Sequence, residues 1–100
     1  MPFVFSYGSL QRPEVQRTAF GRELAGQPDA LPNYEVGQAG PHANAIFNGF
    51  GESRVAGTVF EMSDDELAAT DRYEAADNYG RIGVVLASGR QAWVYVSMTS

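Results

Sequence analysis

The apolar residues of this chain fall into short β-branched and aromatic runs rather than long hydrophobic stretches, and this limits the chain to a fold built on short strands. Phe3-Val4-Phe5-Ser6-Tyr7 reads as an opening strand that stops at a tight Gly8-Ser9 turn. Val55-Ala56-Gly57-Thr58-Val59-Phe60-Glu61-Met62 alternates in part and reads as a core strand, with Gly57 marking a bulge or a close backbone approach. Gly80 to Ala87 and Arg90 to Val96 flank Ser88-Gly89, a turn short enough to make them a β-hairpin.

Two helices are written between these runs. Arg12-Pro13-Glu14-Val15 places proline at a first helical position with an acid in the first turn, which predicts a helix running to about Phe20. Ser63-Asp64-Asp65-Glu66 matches the capping box, in which the serine hydroxyl accepts from the third helical amide and the glutamate reaches back to the cap amide. A helix is predicted from Asp64 to near Ala76. Gly21 to Gly40 predicts a strand or two around Tyr34-Glu35-Val36, and Pro41 to Arg54 reads as a loop around Ala45-Ile46-Phe47. The order strand, helix, strands, helix, hairpin gives an α+β class, and 100 residues without repeat or linker imply one domain over 1–100.

Several functions are excluded at once. With no cysteine, disulfides, thiolate nucleophiles and Cys-based zinc sites are absent, and His42 is the only histidine. The net charge is −5, and the seven basic residues, all arginine, are scattered from Arg12 to Arg90. Phosphate-backbone binding needs a concentrated positive surface, so nucleic acid is not an expected partner. Nothing resembles a membrane span or a secretion signal, so a cytoplasmic location is expected.

Glu74 follows Leu67, Thr70 and Asp71 at helical spacing, so these side chains share one stripe. A carboxylate continuing an apolar stripe is partly desolvated, which moves its pKa toward the range of acid–base catalysis. The same spacing fits, and taken alone favours, a helix C-terminal glutamate paired with Arg72, Arg81 or solvent. Tyr7-Gly8-Ser9-Leu10, between a strand and a helix, can offer backbone amides to a carboxylate or oxyanion, or can be a plain strand-ending turn. Asp64, Asp65 and Glu66 are explained by capping and the helix dipole without a metal. His42 lies beside Pro41, exposed, hydrogen-bonded or at a cleft rim. Trp93 and Tyr95 alternate with Ala92, Val94 and Val96, so one set faces the core and the other solvent, a cleft or a partner.

Taken together, Tyr7-Gly8-Ser9-Leu10, Val55-x-Gly57-x-Val59-Phe60, the segment from Leu67 through Thr70-Asp71-Arg72-Tyr73-Glu74, and Tyr79-x-Arg81 resemble the gamma-glutamyl cyclotransferase-like (AIG2-like) family over roughly Phe3 to Val96. The resemblance implies a small mixed sheet curled toward a barrel around a cleft, with two short helices. It implies that Glu74, closing an Asp-x-x-Glu pattern, is the acid–base residue. Tyr7, Gly8, Ser9 and Leu10 would bind the gamma-glutamyl part of the substrate, and Tyr79 would line the cleft. The implied reaction is intramolecular aminolysis of a gamma-glutamyl amide or dipeptide, giving 5-oxoproline and an amine or amino acid, with no cofactor and no metal. Two positions depart from the family pattern: Thr70 stands where leucine is common, and Ala75 where glycine is frequent. The alternatives are a binding or regulatory module that keeps the fold without turnover, and an acyl hydrolase using Ser9 and His42. The leaving group and the oligomeric state stay open.

Overall fold

A computed structural model describes residues 1–98, so the last two residues of the expected domain 1–100 lie outside the described residues. Strands β1 (Phe3–Ser6), β2 (Gln27–Pro32), β5 (Arg54–Glu61), β6 (Tyr79–Val85) and β7 (Gln91–Ser97) form one sheet in the order β2-β5-β1-β7-β6. β1 runs antiparallel to β5 and parallel to β7, which puts the N-terminal strand in the middle of the sheet. β3 (Tyr34–Ala39) and β4 (His42–Phe47) make a separate two-stranded ribbon. Helix α1 (Pro13–Phe20) follows a 3-10 turn at Ser9–Gln11, and helix α2 (Asp64–Ala75) joins β5 to β6. Among the described residues no helix is long and apolar enough to cross a membrane.

Strand alternation divides the core between the two faces of the sheet. Phe5, Val59, Val94 and Val96 pack with Leu31 and Leu86 on the face that carries Ala45 and Tyr34 of the ribbon. Val4, Tyr79 and Tyr95 point the other way, against Leu10, Ala19 and Leu67 of the helical layer. Both sets of β7 side chains therefore meet partners, so its aromatic face is part of the packing under the helices. The capping box of α2 is complete: Glu66 N–H donates to Ser63 Oγ at 3.1 Å, and Ser63 N–H donates to Glu66 Oε1 at 2.8 Å. Glu66 also pairs with Arg22, whose Nη2 donates to Oε1 at 2.9 Å, and this pair holds its carboxyl down at about 2.

Two sequence expectations are corrected. The segment read as a loop from Pro41 to Arg54 contains β4, which pairs with β3 residue for residue from Ala39↔His42 to Tyr34↔Phe47. His42-Ala43-Asn44-Ala45 has little strand propensity of its own; the tight turn at Gly40, with φ +63, and the partner strand impose its conformation. The sheet is also open, not closed into a barrel. The Ala30 carbonyl of edge strand β2 faces outward and accepts from Ala87 N–H at 2.8 Å, so residues 28, 30 and 32 share that outer edge. Two of the three are prolines with no N–H to offer, so a ladder cannot grow there. The hairpin tip is fixed to β2 instead by Ser88 Oγ–H donating to Asp29 Oδ2 at 2.6 Å.

Gly57 is the close approach its sequence position predicted. A Cβ there would stand 2.3 Å from the Ser6 carbonyl oxygen and 2.7 Å from Phe5 Cζ, and a backbone atom in the central strand cannot yield. Gly57→Ala is expected to lower stability by about 1–3 kcal/mol, read as a drop in the urea midpoint. An unchanged midpoint would show that β1 and β5 are not so tightly apposed.

Candidate functional site

The elements converge on a cavity of about 390 Å³ at the carboxyl end of β1. Its walls are the turn from Tyr7 to Leu10, the start of β4 at His42 and Ala43, the last turn of α2 with Tyr73, Glu74 and nearby Asp77, and the aromatic rings of Tyr79 and Tyr95. This volume lies within the range of small-molecule sites, about 300–1,000 Å³. Among the described residues no cluster of three or more His, Asp or Glu side chains is placed to hold a metal ion.

Glu74 reaches the cavity because the apolar stripe of α2 faces the core. Leu67 and Thr70 are buried, and Asp71 and Glu74 continue the stripe half-buried. Thr70, in place of the leucine common in the resembling family, is fully buried with its hydroxyl donating to the Glu66 carbonyl at 2.8 Å, so the polar atom is satisfied within the helix. The surface-pair reading of Glu74 does not describe the structure. Arg81 instead lies 3.1 Å from Asp71 Oδ1, with its guanidinium 4.4 Å from the centre of the Trp93 ring, and Arg72 is exposed. Burial pushes the Glu74 carboxyl from its ordinary 4.5 to about 7; the Asp77 carboxylate pushes the same way, and His42 opposes both. Glu74 also stands near three phenols. Burial raises Tyr7, to about 12, and Tyr79 and Tyr95 as well, and the Glu74 charge adds to the rise in each.

The four residues of the turn have different roles. Tyr7 lines the cavity with its ring, but its hydroxyl is committed to the fold: it donates to the Tyr95 carbonyl at 2.8 Å and accepts from Ala45 N–H at 3.0 Å. Gly8 borders open space, since a Cβ there would meet no atom within 4 Å. The first bond of the 3-10 turn runs from Gln11 N–H to the Gly8 carbonyl at 3.2 Å, so the amides of Ser9 and Leu10 precede it and are not spent on the turn. The Leu10 side chain is buried in the core, and its carbonyl accepts from buried Gln16 Nε2 at 2.9 Å, which fixes the turn against α1. Ser9 is exposed.

Tyr79 lines the cavity, and its hydroxyl donates to the Ala43 carbonyl at 2.7 Å. His42 stands at the rim, 3.5 Å from Asp77 Oδ1 and edge-on to the Tyr79 ring at 6.2 Å. Among the described residues no hydrogen bond joins His42 to Ser9, so the nucleophile–base contact that the Ser9–His42 hydrolase needs is not formed. Asp77, Tyr95 and Arg12 also line the cavity and were not singled out as site residues. Asp77 had a sequence signal in its position three residues after Glu74, one helical turn on.

The family model for gamma-glutamyl cyclotransferase, AIG2-like, matches residues 4–100. The chain belongs to that family. A solution structure from Arabidopsis thaliana is 22% identical with a TM-score of 0.78, over 98% of this chain and 69% of the other. A second Arabidopsis thaliana solution structure is 26% identical with a TM-score of 0.73, over 96% of this chain and 61% of the other. A structure described as a gamma-glutamyl cyclotransferase is 17% identical with a TM-score of 0.77, over 98% of this chain and 67% of that one. The AIG2-like chain therefore spans roughly two thirds of the length of these structures, and at such identities the likeness to the first and third is one of fold. No curated protein matches it in sequence.

The raised Glu74 pKa has a consequence for stability with a definite sign. A carboxyl that holds its proton more tightly when folded costs nothing below its unfolded pKa and destabilises progressively as pH rises through the folded one. Glu74→Gln should therefore match the wild type near pH 4 and exceed it above pH 7, by on the order of 1 kcal/mol once solvent screening is allowed for. Urea titrations at pH 4 and pH 8 check this; an equal difference at both would place Glu74 in solvent.

Proposed function

We propose that this AIG2-like chain is a gamma-glutamyl cyclotransferase that releases 5-oxoproline from a gamma-glutamyl amide or dipeptide. The observation that carries the reading is Glu74: a half-buried carboxyl, pushed up to about 7, sharing one cavity with the turn from Gly8 to Leu10.

The chemistry needs little more. The free α-amine of the substrate attacks its own γ-carbonyl carbon, forming the C–N bond of a five-membered ring. Glu74 as carboxylate takes a proton from the attacking nitrogen, and the protonated carboxyl then returns it to the departing amine as the γ-amide C–N bond breaks. A pKa near neutrality suits both halves of that exchange, whereas an ordinary glutamate would be a weak base. The amides of Ser9 and Leu10 are available to the oxyanion of the tetrahedral intermediate or to the substrate carboxylate. Nucleophile and electrophile belong to one molecule, so the site has to hold a cyclising conformation and move one proton. Gly8 keeps the approach to these amides open. Tyr7 contributes by holding the cavity wall, since its hydroxyl is already bonded on both sides.

Release of 5-oxoproline from gamma-glutamyl dipeptides, gamma-glutamyl amines and glutathione tests the reading. Wild-type protein should turn over at least one of them, with a rate that climbs as pH rises through about 7. Glu74→Gln should lose roughly a hundredfold or more in turnover while keeping its fold by circular dichroism. Turnover retained in that variant would remove Glu74 from the mechanism. Ligand-induced stabilisation of the wild type without product would assign the cleft to a binding module.

A further inference from the structure

We propose that Arg12 selects the leaving group, reading a carboxylate on the departing amine, so that the preferred substrates are gamma-glutamyl amino acids or peptides over gamma-glutamyl amines. The inference rests on the reading of the site given above and adds its substrate class.

Two basic side chains, Arg12 and His42, line the cavity. His42 is answered across its rim by Asp77 at 3.5 Å. Arg12 has only Glu14, two residues along on its own helix, at 3.8 Å, with side chains 64% and 60% exposed. A pair that open and solvated holds the guanidinium loosely. Its backbone, in contrast, is firmly placed: Arg12 caps α1, and its N–H donates to the Ser9 carbonyl at 3.0 Å. The cation is thus carried by the turn that forms one wall, and its long side chain is free to meet an anion at the mouth.

The order of atoms in the substrate decides which anion. Ring closure joins the α-nitrogen to the γ-carbon, so both must lie at half-buried Glu74. The α-carboxylate sits on the carbon that bears the α-nitrogen and stays in the same inner region, within reach of the Ser9 and Leu10 amides. The departing amine lies beyond the scissile bond and extends outward, where Arg12 is exposed. A guanidinium there has a planar, bidentate match to the carboxylate of an amino acid and nothing to bind on an alkylamine. The net charge of −5 sharpens the point, since a substrate with two carboxylates and one ammonium is a net anion, and in approaching an acidic protein it gains most from a local cation at the mouth.

Gamma-glutamylalanine and gamma-glutamylethylamine differ only by that carboxylate, and steady-state kinetics on both, with wild type, Arg12→Gln and Arg12→Lys, test the assignment. Arg12→Gln should raise KM for gamma-glutamylalanine roughly five- to tenfold, leave kcat unchanged, and leave both constants for gamma-glutamylethylamine unaltered. Arg12→Lys should recover part of the loss, and added salt should narrow the gap between wild type and Arg12→Gln. An equal rise in KM for both substrates would assign Arg12 to the α-carboxylate, and no rise for either would remove it from the site; each overturns the inference while leaving Glu74 in place. Absence of product from both substrates with wild-type protein would instead overturn the enzymatic reading, and this assignment with it.

Discussion

The phenol of Tyr7 is the junction on which the rest of the molecule depends. Its hydroxyl is both donor and acceptor, joining the end of the central strand to the Tyr95 carbonyl on one side and the Ala45 amide on the other. The β3–β4 ribbon shares no ladder with the main sheet, so its position rests on side chains that reach across. Tyr79 supplies a second crossing through the Ala43 carbonyl. Each bond satisfies a backbone group that would otherwise lose its water without replacement, a loss worth about 1–3 kcal/mol apiece. Asn44 adds a third crossing, its Oδ1 accepting from Ser97 N–H at 3.0 Å, and because all three crossings land on β4, that strand becomes a wall, and the space between it and the last turn of α2 becomes a cavity.

That arrangement explains which parts were legible in the sequence. The hairpin about Ser88-Gly89, the capped start of α2 and the glycine at Gly57 are local statements, made by turn chemistry, a hydroxyl three residues from its amide, and the absence of a Cβ. The stripe from Leu67 to Glu74 was legible in direction because helical periodicity is local too. What spacing could not supply was the partner. Of the arginines offered to Glu74 by sequence proximity, Arg72 is exposed and Arg81 is drawn to Asp71 and the Trp93 ring, a preference that exists only once β6 and β7 are side by side. β4 was illegible for the same reason, since its strand conformation is imposed by β3. The open sheet was misjudged because Pro28 and Pro32 matter only when strand parity places both on the outward edge of β2.

Glu74 is costly to the fold, and the surroundings do little to reduce that cost. Among the described residues the arginine ion pairs go to Glu14, Glu23, Glu66 and Asp71. The contrast with Glu66 is instructive, because both glutamates lie on α2 and are withdrawn from solvent. Glu66 sits at the positive end of the helix, accepts from the Ser63 amide and pairs with Arg22, and it falls to about 2. Glu74 sits at the other end of the helix, where burial and, after it, the Asp77 carboxylate raise it to about 7 against the opposing pull of His42. The same residue type on one helix is thus driven to opposite ends of its range by its surroundings.

A chain of this size has few stabilising interactions to spare, so an uncompensated carboxylate at the end of its main helix calls for a reason beyond packing. Replacing it with a neutral or apolar residue would relieve the desolvation that raises it, and Leu67 and Thr70 show that the stripe accepts such residues. A carboxyl raised to about 7 can take up and give back a proton near neutral pH, which is what the proposed cyclisation asks of it. The fold engages the aromatic and imidazole groups around it: the Tyr7 and Tyr79 hydroxyls on backbone carbonyls, the Tyr95 hydroxyl on Asp71, and His42 beside Asp77, while Gly8 leaves space. The proposed reaction, whose two reacting centres arrive already joined, asks for little more than one such carboxyl in a cavity wall.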